Sequence, residues 1–256
     1  MEIVNFEKDS SEQGKLRLVA ENKEPQQFPV IEKQFVNFMF FRVNPDWRKL
    51  TAETKRVFKS EFQSVYNKFK KDLLLYSYSL VGFDSKADLM IWRIGPSLDA
   101  VQEMTAKLYR TNLGSYLETS DNYLSVTKKM MFIAPEEHES VEDRFHVKAG
   151  MKKYHFVYPC AKNNDWYNKP GEERDELIRD NFMVGKKFPN IVIHLTHAFG
   201  FSDKEYIISF ETDEPSDFLS LAEELRQTPA SKFTLRGMPV YTCRLRPLSE
   251  CLDAVG

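Results

Sequence analysis

Residues 156–166 read FVYPCAKNNDW, and residues 38–47 read FMFFRVNPDW. Each is a β-prone apolar run that breaks at a polar turn and ends on Asp-Trp. Trp47 and Trp166 stand 119 residues apart. A second pair of landmarks, Gly82-Phe83-Asp84-Ser85-Lys86 and Gly200-Phe201-Ser202-Asp203-Lys204, is offset by 118. Two landmarks in step within one residue point to an internal duplication.

Each copy reads strand, helix, strand, turn, strand, helix, strand. In the first, strands are expected over 35–43, 73–81 and 88–94, the last two flanking the Gly82 turn. Val57, Phe58, Phe62, Val65, Tyr66 and Phe69 form a helical stripe within 51–70. Ser97 caps a second helix through Tyr109, and a strand at 130–133, or nearby from Tyr123, closes the unit. The second copy repeats this with strands at 154–159, 191–197, 206–211 and 240–245, a helix at 171–184, and another from Ser216 to Arg226. A β-α-β-β-α-β unit of this order is ferredoxin-like. The expected fold is therefore α+β, with duplicated ferredoxin-like units pairing their sheets into a dimeric α/β barrel within one chain. The expected organisation is an N-terminal arm at 1–34, a first half at 35–134, a charged connection at 135–152 and a second half at 153–256. The arm is polar and without periodicity, and the connection carries Glu136, Glu137, Glu139, Glu142 and Asp143.

Bulk properties narrow the function classes. The chain has 256 residues, 42% of them hydrophobic and 20 of them Phe, enough for a substantial core. A net charge of −2 leaves no basic excess for nucleic acid. No apolar run reaches the roughly 18 residues of a membrane span, and the N-terminus has no apolar signal region. Cys160, Cys243 and Cys251 are widely spaced and form no C-x-x-C pair, which fits reduced thiols in a cytoplasm. Cys160 is expected to be a small buried residue. No zinc motif, phosphate loop or nucleophile elbow is present.

Several motifs follow one another in the second half. Tyr158-Pro159-Cys160-Ala161-Lys162 precedes Asp165-Trp166-Tyr167 and Pro170. Then come Gly185-Lys186-Lys187-Phe188, Ala198-Phe199-Gly200, an F-E-T-D-x-P run at 210–215 and a further run at 226–234. In order and spacing these resemble the chlorite dismutase and coproheme decarboxylase family, over roughly 35–245. The resemblance implies a haem b or coproheme cofactor and a homo-oligomeric ring, commonly a pentamer. Tyr158 corresponds to the tyrosine that coproheme decarboxylases use beside a propionate, and Lys162 to a lysine that positions propionate or moves a proton. Trp166, Lys186, Ile193 and Glu211 fall at cofactor-contacting positions. Glu211 matches an acidic residue that bonds the iron-ligating histidine.

Two positions depart from the family pattern. Where the iron-ligating histidine is expected, the chain reads Leu177-Ile178-Arg179-Asp180-Asn181. A carboxamide is a weaker iron ligand than imidazole. His197 is a substitute ligand, with His194 and Met183 as further alternatives; on an alternating strand Ile193, Leu195 and His197 share one face and His194 takes the other. Ile193 also stands where chlorite dismutases carry an arginine, which disfavours oxygen evolution from chlorite. The leading expectation is a haem-dependent oxidoreductase resembling coproheme decarboxylase with impaired iron ligation. The alternatives are a porphyrin-binding protein without redox turnover and a non-haem member of the family.

Overall fold

The computed structural model describes residues 33–127, 147, 149–237 and 239–256. Nearly all of the N-terminal arm and most of the charged connection, with His138, His146 and the alternative closing strand at 130–133, lie outside the described residues. Eight strands, β1 (Phe35–Val43), β2 (Leu74–Ser79), β3 (Leu89–Gly95), β4 (Leu117–Val126), β5 (Tyr154–Cys160), β6 (Val192–His197), β7 (Tyr206–Thr212) and β8 (Tyr241–Leu245), form one antiparallel sheet. It closes into a barrel in the order β1-β3-β2-β8-β5-β7-β6-β4. The first four strands are contiguous in this ring, and so are the last four. The seams are short: Tyr78↔Leu245 and Ser79↔Arg244 on one side, Val126↔His197 on the other.

Strand alternation sorts the apolar residues onto two faces. On β1, Val36, Phe38 and Phe40 point into the barrel, where Phe38 stacks on Trp92 and Phe40 on Tyr241. Met39, Phe41 and Val43 point outward, beneath helices α1 (Ala52–Lys68) and α2 (Leu98–Tyr109). Both faces are covered, so β1 is apolar nearly throughout. Thr51 caps α1 through its side chain, accepting from the Thr54 N–H, and Ser97 caps α2 in the same way from Asp99. The second half has its own outer layer. A one-turn helix α3 (Asn164–Tyr167) follows β5, and α4 (Gly171–Lys186) and α5 (Pro215–Gln227) lie over the outer face of β5, β6 and β7.

Trp47 and Trp166 each sit in the short helical turn after the first strand of their half, and both are buried. Gly82 and Gly200 both adopt left-handed backbone, φ +82° and +76°, which suits glycine at these turns.

Three details differ from the sequence expectations. The strand closing the first half begins earlier, at Leu117. Only Leu117, Tyr123 and Ser125 of β4 are buried, so its polar residues masked the alternation. Helix α5 starts at Pro215, with Ser216 already inside its first turn, because proline's fixed φ is preorganised for that position. A terminal helix, α6 (Leu248–Ala254), was not anticipated; it packs Leu248, Cys251 and Leu252 against the first-half core. All three cysteines are buried free thiols, and burial pushes Cys160 up to about 12, so it stays protonated.

Candidate functional site: the outer face beneath helix α4

Register assembles the floor of the site. On the outer face, Tyr158, Ile208 and Leu195 form one cross-strand row; Phe156, Phe210 and Ile193 form the next. Cys160, Tyr206 and His197 form a third row, in which the His197 and Tyr206 rings meet edge to face at 5.4 Å. Phe156 and Phe210 are buried beneath Phe218 of α5, whereas Tyr158, Ile193, Leu195 and Ile208 remain half-buried.

Helix α4 forms the roof. Leu177, Ile178, Asn181, Val184 and Gly185, with Phe188 just past its end, recur at helical spacing as a half-buried stripe, and Val184 and Phe188 pack on the sheet's apolar cluster. At Gly185 the approach is close: a Cβ there would lie 3.0 Å from Ile193 Cδ1. One turn earlier stands Asn181, whose carboxamide oxygen is buried without a hydrogen-bond partner. Yet no residue of α4 is fully buried along its 16 residues. Its counterpart α1 buries Phe62 and Tyr66, and α2 buries Val101, Met104 and Leu108. The roof therefore meets the floor near Gly185, and over the remainder the floor residues Tyr158, Ile193, Leu195 and Ile208 are only half-buried.

Lys162 and Trp166 come together at the end of β5. The Lys162 ammonium donates to Thr234 Oγ1 at 2.8 Å and to the Ala230 carbonyl at 3.3 Å, and lies 4.6 Å from the Trp166 ring centre. Burial lowers the Lys162 pKa. Lys186 is exposed at the end of α4, with its ammonium 4.8 Å from the Phe182 ring. Met183 is 52% exposed.

Glu211 stands apart from these residues. One position beyond Phe210, it points into the barrel rather than toward α4, and it is fully buried. Its carboxylate accepts from the Tyr78 hydroxyl (3.1 Å) and from the Gly150 and Met151 N–H groups (2.9 and 3.0 Å). His194 also points inward, with Nε2 3.8 Å from Glu211 Oε2, an electrostatic contact too long for a hydrogen bond. Burial works against ionisation of Glu211, but His194, His155 and the Met151 N–H together hold its carboxyl below the ordinary value. Burial drives the His155 imidazole down to about 3. Sequence reading missed His155, because only strand register reveals that it faces Glu211.

A pH profile follows. His155 is neutral when folded but would titrate near 6.5 when unfolded, so the unfolded chain binds more protons between those values. Stability is expected to fall as pH drops from about 6.5 toward 3, by on the order of 4–5 kcal/mol at most. Glu211, also depressed, adds loss in acid as pH falls through its lowered folded pKa. Denaturant midpoints measured across this range should fall less steeply for His155→Phe than for the wild type; parallel profiles would refute the assignment.

Comparison with known proteins bears on the family and the fold. The family profile described as chlorite dismutase matches residues 38–246. A chlorite dismutase of Ideonella dechloratans is 24% identical over 226 residues, covering 86% of this chain and 79% of the relative. The chlorite dismutase of Candidatus Nitrospira defluvii, solved in complex with imidazole, superposes with a TM-score of 0.79 at 25% identity, covering 86% of this chain and 94% of that one. A point mutant of the same enzyme gives 0.79 at 26% identity, with the same coverage of both chains. The chain is a member of the chlorite dismutase family. Among the described residues, no helix is long and apolar enough to cross a membrane.

Proposed function

We propose that this chain binds an iron porphyrin, haem b or coproheme, between α4 and the outer face of β5, β6 and β7. Its chemistry would resemble coproheme decarboxylation rather than chlorite dismutation. The observation that carries this is the α4 roof: sixteen residues with none fully buried, around a buried and unpartnered Asn181 oxygen. A flat apolar ligand would cover Ile193, Leu195, Ile208, Leu177 and Ile178, surface that α4 leaves half-covered. The metal is less well served, since the only donor on the roof's inner stripe is a carboxamide.

When bound, an iron porphyrin with hydrogen peroxide supplies a two-electron oxidant. The chain's own part is Tyr158. Its phenol can give a hydrogen atom to that oxidant and take one back from a propionate side chain. Propionate loses one hydrogen and its carboxylate, leaving a vinyl group and carbon dioxide. The two electrons and accompanying protons reduce one peroxide to two waters. Ile193 has no charge to hold chlorite, which disfavours that substrate.

A second reading, porphyrin binding without turnover, is favoured by Lys162. Its ammonium is committed to Thr234, Ala230 and the Trp166 ring, and so is poorly free to serve a propionate. Both readings take the halves as copies of one ferredoxin-like unit, supported by the paired tryptophans and left-handed glycines, and both take the protein as a homo-oligomeric ring.

Titration of the purified protein with coproheme, haem b and metal-free porphyrin, followed by absorbance and by tyrosine and tryptophan fluorescence quenching, tests the cleft. All three should bind, the iron forms with spectra of weak axial ligation. Absence of binding by every porphyrin overturns the proposal.

A further inference from the structure

The inside of the barrel holds an unusual concentration of unsatisfied polar atoms. Trp92 Nε1, both ring nitrogens of His155, His194 Nε2 and Ser209 Oγ are all buried without a hydrogen-bond partner. They belong to one neighbourhood. His194 and Ser209 are a cross-strand pair, and His155 pairs with Glu211. The Trp92 ring lies 4.4 Å from that of His155 and 5.4 Å from that of His194. Trp92, His155, Ser209 and Glu211 are 0% exposed, and His194 is 7% exposed. A buried donor or acceptor left unpaired is costly, and five in one cluster call for a shared partner.

The chemistry of the atoms selects that partner. Trp92 can only donate; the neutral imidazole of His155 offers one donor and one acceptor; the Ser209 hydroxyl offers both. An anion is opposed by the Glu211 carboxylate beside the cluster. A metal ion is opposed because, among the described residues, no three His, Cys, Asp or Glu groups converge on one point. An apolar guest would leave every donor unmet. A neutral molecule that donates and accepts in equal measure satisfies the set, and the enclosure limits its size.

We infer that the barrel encloses a cluster of ordered water bridging Trp92, His155, His194 and Ser209. This water ties β3 of the first half to β5, β6 and β7 of the second. It also surrounds the contact between His194 and Glu211, the carboxylate that holds the Gly150 and Met151 backbone. The interior is thus a hydrated joint between halves whose direct strand seams are short.

The test uses the full-length protein labelled with ¹⁵N at tryptophan. The Trp92 indole proton, assigned by its loss in Trp92→Phe, should show magnetisation transfer with a long-lived internal water. Ser209→Ala removes one anchor of the cluster, and its melting temperature should fall by about 2–4 °C, the shift for roughly one lost hydrogen bond. A dry cluster predicts the reverse, since deleting an unpaired buried hydroxyl relieves its cost. Either an indole proton without water contact or a Ser209→Ala melting temperature at or above that of the wild type overturns the inference.

Discussion

Tyr158→Phe is expected to lose nearly all peroxide-driven release of carbon dioxide from coproheme, by roughly 10²–10⁴-fold as for removal of a positioned proton-transferring group. Its porphyrin affinity should stay close to that of the wild type. Phenylalanine keeps the ring in its row with Ile208 and Leu195, and therefore the floor of the cleft. It removes only the hydroxyl, and the residues nearest it on that face, Ile208 and Leu195 in its row and Ile193 in the next, are saturated hydrocarbon; the Tyr206 phenol belongs to the row beyond. His197 shares the face but lies in the next row, packed on Tyr206. Mass spectrometry of coproheme incubated with each protein and peroxide would follow loss of the carboxyl group. Equal turnover by both proteins removes Tyr158 from the chemistry. No turnover by either, with porphyrin still bound, leaves the carrier reading in its place.

The strand that carries Tyr158 was legible in the sequence, but the face on which Tyr158 lies was not, because β5 is apolar on both faces. Alternation along β6 placed Ile193, Leu195 and His197 together and put His194 behind them. Glu211 was not placed correctly by motif matching alone. One residue separates it from Phe210, and in a strand one residue is the difference between cleft and barrel interior. Counting parity from Phe210 would have found this. The cluster of His155, His194, Ser209 and Trp92 lay beyond sequence reading for a different reason. Those residues come from four strands, and only the pairing register brings them together. Lys162 shows a third limit: a lysine at the expected place has its ammonium occupied by a segment some 70 residues away in the chain, at Ala230 and Thr234. Helices were read well where an apolar stripe was long, as in α1. The polar strand β4 and the seven-residue helix α6 carried too little pattern.

Asn181→His should convert weak iron ligation into strong ligation. Asn181 lies on the inward stripe of α4, one turn before the point at which Gly185 lets the helix touch Ile193. Its carboxamide oxygen is buried and unpartnered, so a side chain at this position already places an acceptor in buried space. Imidazole is a far better donor to iron than a carboxamide, and histidine exceeds asparagine in volume only modestly. Loss of an outer hydrogen-bond partner to a metal ligand costs ~10–100-fold in affinity, so gain of the ligand itself should tighten iron-porphyrin binding by roughly 10² or more. Metal-free porphyrin should bind both proteins about equally, because its contacts are only with the apolar faces. That contrast separates ligation from packing. The Soret band of the iron form should shift and sharpen only in the variant. If iron and metal-free porphyrins gain equally, Asn181→His has merely reshaped the cleft; if neither changes, position 181 does not face the porphyrin centre. Restored carbon dioxide release in Asn181→His, absent again in Asn181→His with Tyr158→Phe, would show that the tyrosine and the α4 position act on one ligand from opposite walls of the same cleft.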